Sequence, residues 1–294
     1  MSAAAPSARV REAYRYCLRL ARDHYENFPV ASRVVPARLR GPVAAIYAFA
    51  RTADDFADEG SRSPEERLAL LRDYGRRLDT MAAGDPDDSL GDEPVFVALG
   101  DACRRHRLPP ALFHDLLDAF RQDVTRKRYA DFAEVLDYCR RSANPVGRLL
   151  LHLYEEADAD KLRRSDAICS ALQLINFLQD IAQDYHEHGR IYLPQDEMRA
   201  CGVGEEHIAA GRTDAAMLKL ISLQVAHIRV LLDAGAPLGR QLRGRLGFEL
   251  RLILSGARRV LDKLAAERVD VFGRPRLTRM EWVGVAWDAL KRWD

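Results

Sequence analysis

The chain has 294 residues, of which 48% are hydrophobic, 30% charged and 8% aromatic, a composition that excludes disordered, collagenous and low-complexity chains. Its 45 basic and 44 acidic side chains leave a formal charge of +1, without the basic excess that marks a nucleic-acid binder. Five scattered cysteines, none in a CxxC pair, argue against a disulfide framework or zinc site and fit a reducing, cytoplasmic compartment.

The opening residues, MSAAAPSARVREAYRYC, lack the apolar stretch of a signal peptide, and no unbroken apolar run of about 18 residues predicts a membrane span. Pro29, Pro36 and Pro42 bracket a connection before a helix over 44–59. Ser63-Pro64-Glu65-Glu66 reads as an N-cap followed by proline and acid in the first turn, and Leu68, Leu71 and Leu78 continue at helical spacing. Residues 84–94, rich in Asp, Gly and Pro, predict an exposed loop. Leu108-Pro109-Pro110 starts another helix, in which Leu112, Leu116, Ala119 and Phe120 recur at spacings of three and four. Helical spacing then runs without proline from Pro145 to Pro194, which ends a helix, and resumes over 195–236. The stretch with Trp282, Trp287 and Leu290 predicts a C-terminal packing helix. Strand signals are nearly absent. The whole predicts one all-α domain, 1–294, of roughly ten helices.

Two helices carry an unusual polar stripe. At about 100° per residue, Tyr47, Arg51, Asp54 and Asp58 fall within a wedge of about 60°, with Asp55 and Glu59 further round. The rest of that helix is Ala, Ile and Phe, whereas a solvated face usually mixes Lys and Glu. In the second stripe, Gln173, Asn176, Asp180 and Asp184 share about 80°, and no Lys or Arg three or four residues away neutralises either aspartate. Carboxylates one turn apart lie about 6 Å from each other and repel by about 3 kcal/mol at an effective dielectric near 20. Two such pairs on apolar helices call for a cation between them. Their hard oxygens, with the Asn and Gln amides, suit Mg²⁺ bridged to a phosphate better than zinc or copper.

The chemistry that fits is ionisation of an allylic or cyclopropylcarbinyl diphosphate. The leaving diphosphate gains negative charge, which metals and Arg stabilise directly, and the carbocation needs an apolar cavity that a helical bundle encloses. Arg190 and Tyr192, shortly after Asp184, are candidates to grip the diphosphate; a cation at a helix C-terminus is the competing role for Arg190.

Residues 47–58 (YAFARTADDFAD), with 173–184 (QLINFLQDIAQD) and 189–194 (GRIYLP), resemble the two aspartate-rich motifs of the squalene/phytoene synthase family. The likeness extends to Tyr138-Cys139, Val146-Gly147 and 248–253 (FELRLI). It implies the all-α isoprenoid synthase fold, a helical bundle with a central active-site cavity. By this resemblance Asp54, Asp58, Asp180 and Asp184 hold Mg²⁺, while Tyr47, Arg51, Tyr138, Gln173, Asn176, Arg190 and Tyr192 line the diphosphate and the reacting carbons. The substrate class implied is a prenyl or presqualene diphosphate.

Within the family, 26–32 (ENFPVAS), 50–55 (ARTADD) and 142–147 (SANPVG) resemble the hydroxysqualene synthase branch of bacterial hopanoid biosynthesis. That likeness adds Asn27 and Phe28, with His24, as candidate substrate contacts; a capping or core role is the other reading of His24. Phytoene and squalene synthases usually carry Val-Ala-Gly before the Val-Gly pair, where this chain has Ser142-Ala143-Asn144-Pro145, and Arg or Lys where it has Gln179. Ser142 and Asn144 are able to hold the water that ends the reaction, and Pro145, lacking an N–H, is expected to kink the helix and free an upstream carbonyl. The same SANP word also suits the end of one helix and the cap of the next. Head-to-head condensation of two prenyl diphosphates is the second enzymatic reading, and a non-catalytic assembly factor is the reading from another class. A lipid product makes peripheral contact with the inner membrane an expectation, for which Trp282 and Trp287 are the candidate surface.

Overall fold

Fifteen α-helices and no strand are present among the described residues, which are 6–23, 35–84, 93–266 and 269–291 of this computed structural model. Contacts gather the chain into two compact units, Met1–Thr125 with Arg148–Ala157, and Arg126–Gly147 with Asp158–Asp294.

The first unit holds α1 (Ala8–Asp23), α2 (Ala37–Asp58), α3 (Pro64–Ala82), α4 (Pro94–His106) and α5 (Pro110–Thr125), and the later part of α7 (Asn144–Leu153). α2 is its centre and packs on α1, α3, α4 and α5. Small residues Ala44, Ala45, Ala48 and Ala53, all fully buried, let those neighbours approach. Phe49 is the anchor: its ring stacks on Tyr74 at 4.9 Å between centroids and meets Phe113 edge-on at 5.3 Å. Because Phe49 lies about 200° round the helix from Tyr47, burying it turns the Tyr47–Asp58 stripe away from the core. α3 begins as its sequence predicts, with a capping box in which Glu66 N–H donates to Ser63 Oγ at 3.3 Å and Ser63 N–H to Glu66 Oε2 at 2.8 Å.

The second unit holds α6 (Phe132–Ser142), the start of α7, α8 (Ala159–Gln179), α9 (Ile181–His188), α10 (Gln195–Cys201), α11 (Glu205–Ala209), α12 (Ala215–Gly235), α13 (Leu238–Gln241), α14 (Gly244–Leu264) and α15 (Arg279–Lys291). α8 is central here, against α6, α12, α13 and α14. Ala215–Gln241 is long and apolar enough by composition to cross a membrane, with mean hydropathy 1.5. In this fold it covers α12 and α13, and α12 buries Met217, Leu220, Ile221, Val225, Ile228 and Leu232.

The chain departs from the expected elements in four places. Helices outnumber the roughly ten expected because α10, α11 and α13 are short. α2 starts at Ala37, so Pro42 lies inside it rather than before it. Gly189, at φ 64, ends α9, and Pro194 instead opens α10. The C-terminal helix packs through Val285 and Ala289, while Met280, Trp282, Val283 and Trp287 are exposed. Of the expected loop, residues 85–92 lie outside the described residues.

Close approach of α12 to α8 depends on Gly235. A Cβ there would stand 2.4 Å from Ile168 Cγ1 and 2.8 Å from the Arg164 carbonyl oxygen. Gly235→Ala is therefore expected to destabilise the protein by about 1–3 kcal/mol despite the better helix propensity of Ala, read as a lower urea midpoint.

Candidate active site

The first polar stripe ends α2. Arg51 forms ion pairs with Asp55 at 2.7 Å, Asp54 at 3.5 Å and Glu59. Partial burial pulls the Arg51 pKa down, but Asp55, Asp54 and Glu59 outweigh it and the net shift is upward. Burial pushes the Tyr47 phenol up, a rise opposed by Arg51 and reinforced by Asp54 and Asp55. One guanidinium thus pairs with three carboxylates, and half-buried Asp58 lies one turn beyond Asp54. These acids occupy the last turn of a helix that carries no basic residue there, where the helix dipole is itself negative. Arg67 also reaches this end of α2, donating to the Phe56 and Gly60 carbonyls at 3.4 and 2.8 Å.

The second stripe lies at the junction of α8 and α9. The sequence pattern reads as one uninterrupted helix; the structure breaks it at Asp180, with φ −108 and ψ 15. The register survives, because Asp180 N–H donates to the Asn176 carbonyl at 2.9 Å and Asp184 N–H to the Asp180 carbonyl at 2.8 Å. Leu174, Ile175, Phe177, Leu178 and Ile181 are buried, Asn176 is exposed, and Gln173, Asp180 and Asp184 are half-buried. Asp180 also stands at the N-terminus of α9, whose dipole favours its charge. A cation does meet it, from far along the chain: Arg274 Nε lies 2.5 Å from Asp180 Oδ1 and Nη2 donates to Oδ2 at 3.1 Å. A scan of positions three and four residues away misses Arg274.

Beyond α9 the chain doubles back, with Ile191 N–H donating to the Lys127 carbonyl at 3.0 Å and Arg190 N–H to that of Asp184 at 2.9 Å. Arg190 is only 6% exposed, so it is no surface cation at a helix end. Tyr192 stacks on Phe177 at 3.7 Å between centroids and lies 5.6 Å from both Tyr129 and Tyr138. Tyr138 is buried. The structure therefore joins Tyr138 and Tyr192 to Phe177 and Tyr129, which sequence reasoning passed over. Phe177 sits inside the second motif and was open to notice, whereas Tyr129 carries no pattern signal. Such ring faces attract positive charge.

At the SANP word, α6 ends at Ser142 and α7 starts at Asn144. Pro145 sits in the first turn of α7, where its missing N–H costs nothing, so it starts a helix and kinks none. Asn144 is 7% exposed, and its Oδ1 accepts from Ser170 Oγ at 2.9 Å. Ser142 Oγ is buried without a hydrogen-bond partner. His24, Asn27 and Phe28 lie outside the described residues.

Among the described residues no three His, Cys, Asp or Glu side chains converge as a metal cage. Each unit instead offers one carboxylate pair a turn apart, Asp54 with Asp58 and Asp180 with Asp184. Mg²⁺ is ordinarily held by one or two carboxylates plus phosphate oxygens, so this donor chemistry fits a metal–diphosphate. A cavity of about 660 Å³ in the second unit is lined by Arg229, Asp233, Arg258, Arg259, Asp262 and Lys263. Its charges pair with one another, as in Arg229–Asp262 and Arg258–Asp233 at 2.8 Å, and it contains none of the candidate residues.

The family model for squalene/phytoene synthase matches residues 7–281. A hydroxysqualene synthase of Sinorhizobium fredii is 38% identical over 243 residues, 81% of this chain and 79% of that one. One of Rhodopseudomonas palustris is 36% identical over 266 residues, 90% and 88% of the two chains. The crystal structure of squalene synthase HpnC from Alicyclobacillus acidocaldarius superposes with a TM-score of 0.80 at 35% identity, covering 87% of this chain and 94% of that one. The fold is that of the isoprenoid synthases.

The aromatic cluster separates packing from chemistry at Tyr192. Tyr192→Ala should cost about 3 kcal/mol through lost stacking, whereas Tyr192→Phe, which keeps the stacked ring, should cost less than about half of that, both by urea unfolding.

Proposed function

This chain belongs to the squalene/phytoene synthase family, and we propose that it converts presqualene diphosphate to hydroxysqualene as a single catalytic domain, a carbon–oxygen lyase step towards squalene and hopanoids. The observation that carries the reading is the pair of acidic stripes, Asp54 and Asp58 on α2 and Asp180 and Asp184 one turn apart across the junction of α8 and α9. We assign Asp54, Asp58, Asp180 and Asp184 to one Mg²⁺–diphosphate. Bound there, Mg²⁺ supplies the positive charge that offsets the negative charge gathering on the departing diphosphate.

The remaining work falls to side chains. Arg51, kept charged by Asp54 and Asp55, and buried Arg190 bind diphosphate oxygens. Asn176 and Gln173 add neutral oxygen and amide contacts. As the carbon–oxygen bond breaks, its electron pair leaves with the diphosphate, and the cyclopropylcarbinyl cation rearranges to an allylic one. The faces of Tyr138, Phe177 and Tyr192 stabilise that cation and exclude bulk water. One water, held by Ser142 Oγ and the remaining capacity of Asn144, adds its oxygen to the cation and passes a proton to the released diphosphate. Ser142 supports this step because its buried hydroxyl has no protein partner, the condition under which an ordered water is retained. No hydride donor enters the balance.

Condensation of two prenyl diphosphates is the second reading, and Arg274 favours it. It brings a cation to Asp180 where Gln179 withholds the Arg or Lys common in condensing relatives. Membrane contact at the C-terminal helix is supported by exposed Met280, Trp282, Val283 and Trp287, at 85%, 51%, 72% and 59%.

Purified protein given Mg²⁺ and presqualene diphosphate in isotopically labelled water should yield hydroxysqualene carrying solvent oxygen, with or without NADPH. NADPH-dependent squalene, or an alcohol without solvent label, would contradict the water step. Asp58→Asn and Asp180→Asn should each lower turnover at least about a hundredfold with the helical circular dichroism signal intact. Near-normal turnover in both at limiting Mg²⁺ would overturn the metal assignment.

A further inference from the structure

Residues 269–278 join α14 to α15 and are tied down on two sides. On one side, Lys263 Nζ of α14 donates to the Arg276 carbonyl at 2.7 Å, and Thr278 N–H and Oγ1 donate to Glu281 Oε2 of α15 at 2.6 and 2.8 Å. On the other side, Gln179 Nε2 donates to the Pro275 carbonyl at 2.5 Å, and Arg274 takes both oxygens of Asp180. Arg274 does so at φ +52, a left-handed conformation that non-glycine residues adopt only when their surroundings require it. Proline follows it, and a residue before proline is further restricted away from helical backbone. The segment is thus bent at a costly position, and the result of the bend is a guanidinium–carboxylate ion pair with one hydrogen bond, to Asp180 Oδ2.

We infer that Arg274 is a positioning residue of the second carboxylate pair: it is the counter-ion of Asp180 in the metal-free protein, and a divalent cation displaces it, loosening the 269–278 segment. The inference rests on the metal reading of Asp180. A cation bound to Asp180 would lie within a few ångströms of the guanidinium, and like charges that close repel strongly at a half-buried site. Both carboxylate oxygens already face Arg274, so metal and arginine compete for one ligand. Gln179 takes part, since its amide holds the Pro275 carbonyl, one residue beyond Arg274. The exchange keeps Asp180 oriented and charge-balanced before loading, and it makes metal entry cost an ion pair.

The test is Mn²⁺ binding to substrate-free protein, followed by electron paramagnetic resonance, with hydrogen exchange of 269–278 measured alongside. Arg274→Gln should bind Mn²⁺ at least about fivefold more tightly than wild type, and Arg274→Lys should fall between. Arg276→Gln, which removes the same charge from an exposed neighbour in the segment, should stay within about twofold of wild type. In wild type, Mn²⁺ should raise exchange over 269–278. Equal tightening by Arg274→Gln and Arg276→Gln, or no tightening by Arg274→Gln, overturns the exchange while leaving the metal site standing. Absence of Mn²⁺ binding in every form overturns the exchange together with the metal reading. If Arg274→Gln loses its helical signal, the wild-type exchange measurement decides, and unchanged protection over 269–278 with Mn²⁺ bound overturns the inference.

Discussion

Two aspartates one turn apart on a helix whose other faces are buried repel each other and cannot turn elsewhere, because packing fixes the helix. In the first unit, Phe49 among Tyr74, Phe96 and Phe113 sets the rotation of α2, so Asp54 and Asp58 are held outward by an aromatic core. In the second, Leu174, Ile175, Phe177 and Leu178 do the same for α8 and Ile181 for α9, and the stripe of Gln173, Asn176, Asp180 and Asp184 is what remains across their junction. Hydrophobic burial worth several kcal/mol thus maintains the placement of these carboxylates, which the proposed reading assigns to a metal–diphosphate.

The same constraint explains the local counter-ions. Arg51 tempers Asp54, Asp55 and Glu59 without cancelling them, and Arg274 reaches Asp180 across 94 positions of sequence. Phe177 serves twice, its backbone helix carrying the second stripe and its ring stacking on Tyr192. Asp180 and the aromatic faces are therefore both placed by the C-terminal end of α8. A change that rotates α8, such as crowding at Gly147 against Ser165 and Cys169, would disturb both.

Much of this was legible in the sequence, for physical reasons. A carboxylate pair spaced by four with apolar flanks is a local pattern, and so is the Ser63 capping box. The break at Asp180 was hidden because no Gly or Pro marks it and its hydrogen bonds keep helical register. Pro42 misled because proline more often opens a helix than sits within one, and Pro194 because Gly189 had already ended α9. Arg274, Tyr129 and the Asn144–Ser170 hydrogen bond are products of tertiary folding, and no spacing rule reaches them. The expected kink at Pro145 failed because the chain spends that proline in a first turn.

The central claim is that both carboxylate pairs serve one metal–diphosphate. Calorimetric titration of inorganic diphosphate into the protein, with and without Mg²⁺, tests it without requiring turnover. The account predicts binding only when Mg²⁺ is present, weakened at least about tenfold by Asp58→Asn alone and by Asp180→Asn alone, with the double variant little worse than either. Diphosphate binding that ignores Mg²⁺, or a wild-type affinity in either single variant, would contradict it.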